Sequence, residues 1–220
     1  MNILYHFRTQ GRGAEGVHIA GIARAFEGLG HRVDFSSPTG VDPRRTRGSD
    51  PFAGGRGTSR LWAWTARHCP DLAFELLEVA YNLASVIRNS RLLRQRCYSL
   101  IYERHAFFLC ATAWLARRWR IPLVVEVNEL VGDERVRRQP TFRSLAERCD
   151  RFCFRNAALV TVVSPHLQRR VQAMGVPAER TLALPNAVAR ADYAQPADGT
   201  TLRSRYAVGD AVLVGFVGWL

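Results

Sequence analysis

The fold is decided by residues 2–35, NILYHFRTQGRGAEGVHIAGIARAFEGLGHRVDF. An apolar strand pattern over residues 2–7 leads through a glycine-rich turn into an amphipathic helix over about residues 17–29. Gly30 ends that helix, as glycine commonly does just past a helix C-terminus, and a second strand follows in HRVDFSSP. This order predicts the first strand–helix–strand unit of a parallel α/β sheet.

The rest of the chain repeats the same alternation of strands and helices. LVVEV and ALVTVV are apolar throughout, as strands in the centre of a parallel sheet usually are. Ser164-Pro165 has the pattern of an N-cap followed by proline at the first helical position. We therefore predict a doubly wound, Rossmann-like parallel sheet with helices on both faces. Sheets of this kind bind ligands beyond the carboxyl ends of their strands. The further strands are predicted in SLIYER, LVVEV, ALVTVVS and RTLALPNAV, and the further helices over about 107–119 and 141–155.

A long helical pattern covers residues 61–95, with a break or fresh start at Pro70 and Asp71. Its second part carries apolar residues at helical spacing, the pattern of an amphipathic helix. These residues are Leu72, Leu76, Val79, Leu83 and Ile87.

Composition shifts predict the domain organisation. We assign residues 1–188 to one domain, in which 39–60, rich in Gly, Pro and Arg, form a mobile loop. Residues 189–210 are polar and suit a linker, and AVLVGFVGWL (211–220) has the pattern of a buried strand that begins a second domain.

The composition is that of a globular protein, with 47% apolar and 23% charged residues. No apolar run is long enough for a membrane-spanning helix, and the N-terminus lacks the pattern of a signal peptide, so we predict a cytoplasmic protein. The five cysteines lack metal-site spacing and are expected to be reduced, buried thiols rather than zinc ligands or disulfides.

The chain has a formal net charge of +12, and all 31 of its basic residues are arginine. Genomic base composition could account for part of this bias. The functional alternatives are an anionic membrane surface, a phosphorylated ligand or nucleic acid. No nucleic-acid-binding motif accompanies the charge, so we predict no nucleic-acid partner.

Gly11, Gly13 and Gly16 have the G-x-G-x-x-G spacing of a dinucleotide-binding turn. A helix N-terminus behind such a turn presents free N–H groups to a phosphate. A dinucleotide site also needs an acidic residue at the end of the second strand, whereas Asp34 lies inside it. A dinucleotide site, a purely structural turn and a loop for another phosphate ligand therefore stay open, and we favour the third.

Six blocks of the sequence, in order, resemble glycosyltransferase family 4. The first is the opening 38 residues, where the helix ends in Gly30, His31 and Val33, a Gly-His-x-Val pattern. The resemblance extends over nearly the whole chain except about residues 39–60. The other blocks are LIYERHAFF, IPLVVEVNEL with Glu134 shortly after, AALVTVVSPHLQRRVQAMGV, TLALPNAVARADY and AVLVGFVGWL.

The resemblance implies the GT-B fold, in which two Rossmann-like domains face each other across a cleft. The first domain mainly receives the acceptor and the second holds most of the nucleotide-sugar donor, so this chain would be the N-terminal, acceptor-side half. The implied activity is retaining transfer of a hexose-type sugar from a nucleoside diphosphate sugar to an acceptor hydroxyl, without a metal or other cofactor. Ala187 stands where the family usually has glycine, which departs from the family pattern.

In that reaction the leaving diphosphate would be stabilised by backbone N–H groups and cationic side chains. Gly11, Gly13 and Gly16 would take part, with Arg12 as an added charge or as a solvated loop residue. His18, in the helix that follows, is a candidate for contact with the ligand or a packing residue of the helix.

The ends of two strands carry the candidate catalytic residues. His105 follows IYER and is a candidate for acceptor contact, while its neighbour Arg104 would bind a phosphate or a sugar hydroxyl, or pair with Glu103. Glu126 and Asn128 end the most apolar strand, where polar groups are costly unless they are hydrogen-bonded, so they are candidates for catalysis or for capping a loop. Many relatives have histidine at the position of Asn128, which leaves the general base open.

Glu134 matches a glutamate in the family's corresponding block, where it would orient the acceptor or bind a loop backbone. The arginine-rich loop and the segment around Trp114 and Trp119 would dock on anionic lipid or form a solvated basic surface. With membrane contact, the acceptor would be a lipid-linked glycan. The arginines concerned are Arg44, Arg45, Arg47, Arg56 and Arg60 in the loop, and Arg117, Arg118 and Arg120 beside the tryptophans.

Two other functional classes stay open. The chain would be a non-catalytic module that binds a glycan, a lipid or a partner protein, or an NAD(P)-dependent oxidoreductase that uses the glycine turn.

Overall fold

The computed structural model describes residues 1–11, 13–45, 71–133, 139–187, 194, 198–209, 211, 212 and 214. The chain divides into two compact units, Met1–Asn186 and Ala187–Leu220. The strands of the first unit are β1 (Asn2–His6), β2 (Arg32–Ser36), β3 (Leu100–Arg104), β4 (Leu123–Val127), β5 (Leu159–Val162) and β6 (Thr181–Ala183). Its α-helices are α1 (Gly13–Gly28), α2 (Asp71–Gln95), α3 (Ala111–Trp119), α4 (Arg143–Asn156) and α5 (Pro165–Ala173).

The six strands form one parallel sheet in the order β2-β1-β3-β4-β5-β6. The chain moves outward from β1 to β2, then crosses back and continues through β3 in the opposite direction, so the strand order reverses between β1 and β3. This confirms the predicted doubly wound α/β fold.

Helices cover both faces of the sheet. Ile19 and Ala23 of α1 pack with Ile3, Tyr5 and Tyr102 on one face. The other face is covered by α2, α3, α4 and α5, whose apolar residues form the larger core with β3, β4 and β5. The predicted N-cap of α5 is confirmed, since the Ser164 hydroxyl accepts a hydrogen bond from the Leu167 N–H at 3.3 Å.

Helix α1 begins earlier than its hydrophobic pattern indicated. It starts at Gly13 rather than near Val17, so Gly13 and Gly16 lie in its first turns instead of in the preceding loop. A Cβ atom on Gly16 would lie 2.5 Å from the Gly11 carbonyl oxygen. Gly16 therefore allows a close backbone approach within the β1–α1 connection.

The leucine stripe of α2 faces away from the core, contrary to its amphipathic pattern. Leu72, Leu76, Leu83 and Ile87 are exposed, while Glu75, Glu78, Tyr81, Ser85 and Asn89 are buried beneath the helix. The periodicity of α2 identified the helix correctly but not the side that is buried.

The buried side of α2 is polar because it caps two other helices. The Asn82 amide oxygen accepts hydrogen bonds from the N–H groups of Cys110 and Ala111, both at 2.9 Å, where α3 begins. The Glu75 carboxylate accepts from the N–H groups of Thr141 and Phe142, at 2.5 and 2.9 Å, where α4 begins. Neither helix has a cap from its own N-cap side chain, so α2 supplies it.

Substitution Asn82→Ala is expected to lower the free energy of unfolding by about 2 kcal/mol, because it leaves the two N–H groups at the start of α3 without an acceptor. Chemical denaturation monitored by circular dichroism measures this change. Leu83→Ala, at the next and exposed position, is the matched control and should change stability by less than about 0.5 kcal/mol. Equal stability of the two variants would contradict the capping role.

The predicted mobile loop is described only in its first residues. Residues 39–45 contain a short 3-10 helix, Pro43–Arg45. Arg44 bonds to Asp42 and Glu27 there and stacks over the Phe35 ring. Residues 46–60, with Arg47, Arg56 and Arg60, lie outside the described residues.

The second unit contains the short helix α6 (Thr200–Arg205), within the segment predicted to be a linker. Of the predicted strand 211–220, only Ala211, Val212 and Val214 are described; all three are exposed, and the strand stays a prediction. No helix in the described part of the chain is long and apolar enough to cross a membrane.

Candidate functional site

A cluster of polar side chains lies at the carboxyl ends of β1, β3 and β4, beside the point where the strand order reverses. Glu126 near the end of β4 is its centre, and it is next to Arg104 of β3 in the sheet register. His18 reaches the same place from α1. Crevices at this edge of doubly wound sheets are the usual ligand sites, so the fold brings these residues to the expected position.

Five side chains donate hydrogen bonds to the Glu126 carboxylate, and we call them together with Glu126 the Glu126 cluster. Oε1 accepts from His18 Nε2 at 2.9 Å, from Arg104 Nη1 at 2.5 Å and from Asn128 Nδ2 at 2.7 Å. Oε2 accepts from the Tyr102 hydroxyl at 3.0 Å and from the Tyr5 hydroxyl at 3.5 Å. A carboxylate has about four lone-pair sites, so its accepting capacity is used by the protein itself.

The cluster keeps Glu126 ionised. Burial alone would raise the pKa of Glu126, but the hydrogen bond from His18, the charge of Arg104 and the amide of Asn128 together lower that pKa below its ordinary value. Burial and the adjacent negative charge raise the pKa of both Tyr5 and Tyr102, so the two phenols stay protonated and donate.

Two nitrogen donors of the cluster, His18 and Arg104, reach toward solvent. The Glu126 side chain is 5% exposed, whereas those of His18 and Arg104 are 20% and 15% exposed. A guanidinium has five N–H donors, and only Nη1 of Arg104 bonds to another described residue. This geometry suits a carboxylate that holds a guanidinium and an imidazole N–H donor in place for an anionic ligand, and it does not suit a free general base.

Arg104 does not pair with Glu103, which was one of the two alternatives from the sequence. Successive residues of a strand point to opposite faces, and Glu103 lies on the α2 side of the sheet. There its carboxylate is 2.8 Å from His6 Nδ1, and Thr112 Oγ1 is 2.9 Å from the same nitrogen. All three side chains are buried.

His105 lies apart from the Glu126 cluster. Its Nε2 is 2.8 Å from Asp150 Oδ1 of α4, both side chains are 1% exposed, and the ring packs against Phe107 and Phe154. Its backbone N–H donates to the Glu126 carbonyl oxygen at 2.8 Å. Contact between the His105 side chain and a substrate stays a prediction, and this burial favours a role in packing.

The glycine turn lies at the start of α1. Gly11 and Gly13 have positive φ angles of 67° and 61°, which favour glycine at both positions. A Cβ atom on Gly11 would lie 2.9 Å from the Phe7 ring. Arg12 and Glu134, which the sequence also placed at the site, lie outside the described residues.

Asp34 of β2 is not available to a ribose. Its carboxylate accepts hydrogen bonds from Arg96 at 2.7 Å and from the Tyr98 hydroxyl at 3.0 Å. Asp34 is the acidic residue that a dinucleotide site would require, and its carboxylate is instead bonded to other side chains of the protein. This agrees with its position within the strand rather than at the strand's end.

Sequence reasoning missed Tyr5 and Tyr102. Both lie within apolar strands, where an aromatic residue is typical of the core, and 121 residues separate Tyr5 from Glu126. Strand alternation was the available signal, because Tyr102 and Arg104 share one face of β3. The sheet register, which makes Tyr5 and Tyr102 neighbours, was needed to join them.

Comparison with solved structures shows the fold. The chain superposes on Anabaena HepE in complex with UDP with a TM-score of 0.55 at 18% sequence identity, over 96% of this chain and 51% of that one. The HepE complex with UDP-glucose gives a TM-score of 0.54 at 19% identity, over 96% and 50%. UDP-GlcNAc 2-epimerase from Methanocaldococcus jannaschii gives 0.51 at 11% identity, over 84% and 46%. The chain thus spans about half the length of these proteins, and its sheet is the Rossmann-like half of a GT-B fold.

A search of curated proteins found no match to this chain. The chain does match a family model in sequence. The model of the glycosyl transferase 4-like domain matches residues 13–187, which include α1, the carboxyl ends of β3 and β4 and most of the first unit. The chain therefore belongs to the glycosyl transferase 4-like domain family.

Proposed function

We propose that this chain is the acceptor-side half of a retaining glycosyltransferase. The enzyme transfers a hexose-type sugar from a nucleoside diphosphate sugar to an acceptor hydroxyl, in polysaccharide or glycolipid assembly. The family supports sugar transfer, and the structurally similar HepE was crystallised with UDP and with UDP-glucose.

One observation carries the proposal: the ionised Glu126 holds His18 and Arg104 at the edge of the sheet where doubly wound folds usually bind ligands. Sugar transfer breaks the bond between the anomeric carbon and a diphosphate oxygen, and negative charge develops on the diphosphate. Fixed hydrogen-bond donors, and cationic ones above all, stabilise such charge more than they stabilise the ground state. Arg104 would supply the cation, and His18 and the N–H groups at the start of α1 would supply further donors.

In this proposal Glu126 and Asn128 position Arg104 and His18 rather than remove the acceptor proton. Glu126 is saturated with hydrogen bonds, and Asn128 has no basic group. The reaction would need no metal or other cofactor, because the cationic side chains and backbone N–H groups take over the stabilisation of the leaving group.

The acceptor would be a glycan or a lipid-linked glycan. The exposed arginines and tryptophans of α3 suit peripheral contact with an anionic membrane, at its cytoplasmic face. A lipid-linked acceptor would then be presented to the enzyme from the bilayer surface.

Sugar transfer is tested with the protein in its full natural length, a panel of radiolabelled UDP-, GDP- and TDP-sugars, and extracted lipid and glycan acceptors. We expect transfer from one nucleotide class, and retention at the anomeric carbon in the NMR spectrum of the product. Arg104→Gln should lower kcat/KM by about tenfold through loss of one charge-assisted contact. Arg143→Gln removes a surface ion pair with Glu147 and is the matched control, with unchanged activity.

The alternatives give different results. A non-catalytic binding module would bind a glycan or lipid without transfer from any donor. An NAD(P)-dependent oxidoreductase would be stabilised against heat by NAD(H) and by none of the nucleotide sugars. Unchanged kcat/KM in Arg104→Gln would contradict the role proposed for the Glu126 cluster.

A further inference from the structure

The outer sides of α2 and α3 form an exposed surface that combines large apolar residues with arginines. We call it the α2–α3 surface. Its members are Leu76, Leu83, Ile87, Arg91 and Arg94 of α2, with Trp114, Arg117, Arg118, Trp119 and the following Arg120 of α3.

The apolar part of this surface is larger than isolated exposed residues would explain. Leu76, Leu83 and Trp114 are 55%, 68% and 50% exposed. Leu76, Leu83, Ile87 and Arg94 follow one another at spacings of seven, four and seven residues, which places them on one side of α2. Large apolar residues exposed side by side, unlike ones scattered singly, are typical of an interaction site.

The two helices contribute to the same surface. A groove of about 670 Å³ runs between them, with Ser90 and Arg94 of α2 on one side and Trp114, Arg118 and Trp119 on the other. The tryptophans therefore continue the stripe of α2 rather than form a separate patch.

The surface has one sign of charge. From residue 71 to residue 120, all of which are described, the carboxylates are Asp71, Glu75, Glu78 and Glu103. The last three are buried, and the exposed Asp71 is the first residue of α2, away from the arginines at its other end. The arginines Arg91, Arg94, Arg117, Arg118 and Arg120 of the same segment are exposed.

We propose that the α2–α3 surface docks on an anionic lipid bilayer, with its leucines and tryptophans inserted at the headgroup level. Arginine and tryptophan are typical of interfacial helices, which keep the cations at the lipid phosphates and place the apolar side chains below them. This proposal rests on the membrane contact suggested above for α3 and assigns it to the combined surface of α2 and α3, and it does not require that sugar transfer occurs.

Two other occupants fit the surface less well. Nucleic acid would match the charge, but exposed Leu76, Leu83 and Ile87 offer nothing to a phosphate backbone. A second copy of this chain would cover the apolar stripe but would bring the exposed arginines of two molecules together. An anionic bilayer satisfies both the charge and the apolar residues.

The test is co-sedimentation of the full chain with vesicles of phosphatidylcholine, alone or with about 30 mol% phosphatidylglycerol. We expect binding at least about tenfold stronger to the anionic vesicles, and weaker binding as salt is added. Arg91→Gln/Arg94→Gln should weaken that binding by about twentyfold, because each arginine near an anionic surface adds to the free energy of membrane binding. Leu83→Gln/Ile87→Gln should weaken it by at least about tenfold at unchanged charge.

The matched control is Leu145→Gln/Arg148→Gln, which changes exposed residues of α4 and should bind like the wild type. Thermal unfolding of every variant establishes that it is folded. The proposal is wrong if the wild type binds anionic and neutral vesicles equally, or if the α2 variants bind as the control does. Two further results would overturn it. Loss of dimers in analytical sedimentation of Leu83→Gln/Ile87→Gln, with unchanged vesicle binding, would identify the surface as a contact between two copies of the chain. Loss of nucleic-acid binding alone in Arg91→Gln/Arg94→Gln would identify it as a nucleic-acid surface.

Discussion

Substitution Glu126→Ala is expected to lower the free energy of unfolding by about 3 kcal/mol. The change leaves the Arg104 guanidinium without its counter-charge and His18 without its hydrogen-bond acceptor in a mostly buried position, and removing one partner of a buried ion pair costs more than the pair contributes. The partial exposure of both side chains keeps the cost at the lower end of that range. Denaturant unfolding at neutral pH measures it.

The isosteric variant Glu126→Gln separates charge from packing. It keeps the side-chain volume but presents an NH₂ group to some of the five donors, so His18 and Arg104 lose their fixed positions. We expect kcat/KM for sugar transfer to fall by about a hundredfold, more than from Arg104→Gln, because both Arg104 and the His18 donor are displaced. Glu147→Gln, which breaks exposed ion pairs with Arg143 and Arg151, is the control and should leave the activity unchanged.

The same variant tests the lowered pKa of Glu126. A carboxyl group whose pKa is lower in the folded state contributes stability that is present above its unfolded pKa of about 4.3 and is lost as the pH falls through the folded value. The stability difference between the wild type and Glu126→Gln should therefore be largest above about pH 4.3 and narrow below it. A difference that is constant from neutral pH to well below this range would contradict the ionised cluster.

Substitution Gly16→Ala is expected to lower the free energy of unfolding by about 3 kcal/mol. The new Cβ would lie 2.5 Å from the Gly11 carbonyl oxygen and 2.6 Å from its carbon, and both are backbone atoms that no side-chain rotation can move away. Overpacking of this kind forces the backbone apart. The β1–α1 connection and the N-terminus of α1 would then move, and His18 with them.

Gly21→Ala is the matched control in the same helix. A Cβ atom on Gly21 meets nothing within 4 Å, so alanine should raise the free energy of unfolding by about 0.5–1 kcal/mol through its higher helix propensity. Parallel denaturation curves of the two variants give the comparison. If Gly16→Ala were as stable as Gly21→Ala, the close approach of Gly16 to Gly11 would be wrong.

Much of the fold follows from local patterns. The strands LVVEV and ALVTVV, the Ser164-Pro165 helix start and the parallel sheet were all predicted, because hydrophobic period and capping signals depend on residues close in sequence. Glu126, Asn128 and Arg104 were placed near a site because residues at the ends of parallel strands meet at one edge of the sheet. His18 was a candidate for ligand contact from its place in the helix behind the glycine turn, with a packing role left open.

The side of α2 that packs inward was not predictable in the same way. Leucines at helical spacing normally face the core, yet Glu75 and Asn82 lie on the inner side and cap the starts of α4 and α3. The side-chain oxygens of Glu75 and Asn82 are needed only because the first N–H groups of α4 and α3 lie beside them in the fold. Those N–H groups belong to residues 66 and 28 positions later in the chain. The hydrophobic pattern of a single helix carries no information about partners that are so far away in sequence.

By itself, the sequence determined which segments are strands and helices, the parallel α/β class and the edge of the sheet that carries polar residues, since each depends on local periodicity and chain direction. Only the tertiary structure decided how those residues combine. It brought Glu126 into contact with His18, 108 residues away, and with two tyrosines that look like core residues. It placed His105 in a separate buried pair with Asp150. It also turned the leucines of α2 outward. These outcomes depend on which donors, acceptors and charges meet in space, and a buried carboxylate accepts whichever donors the packed elements bring within reach.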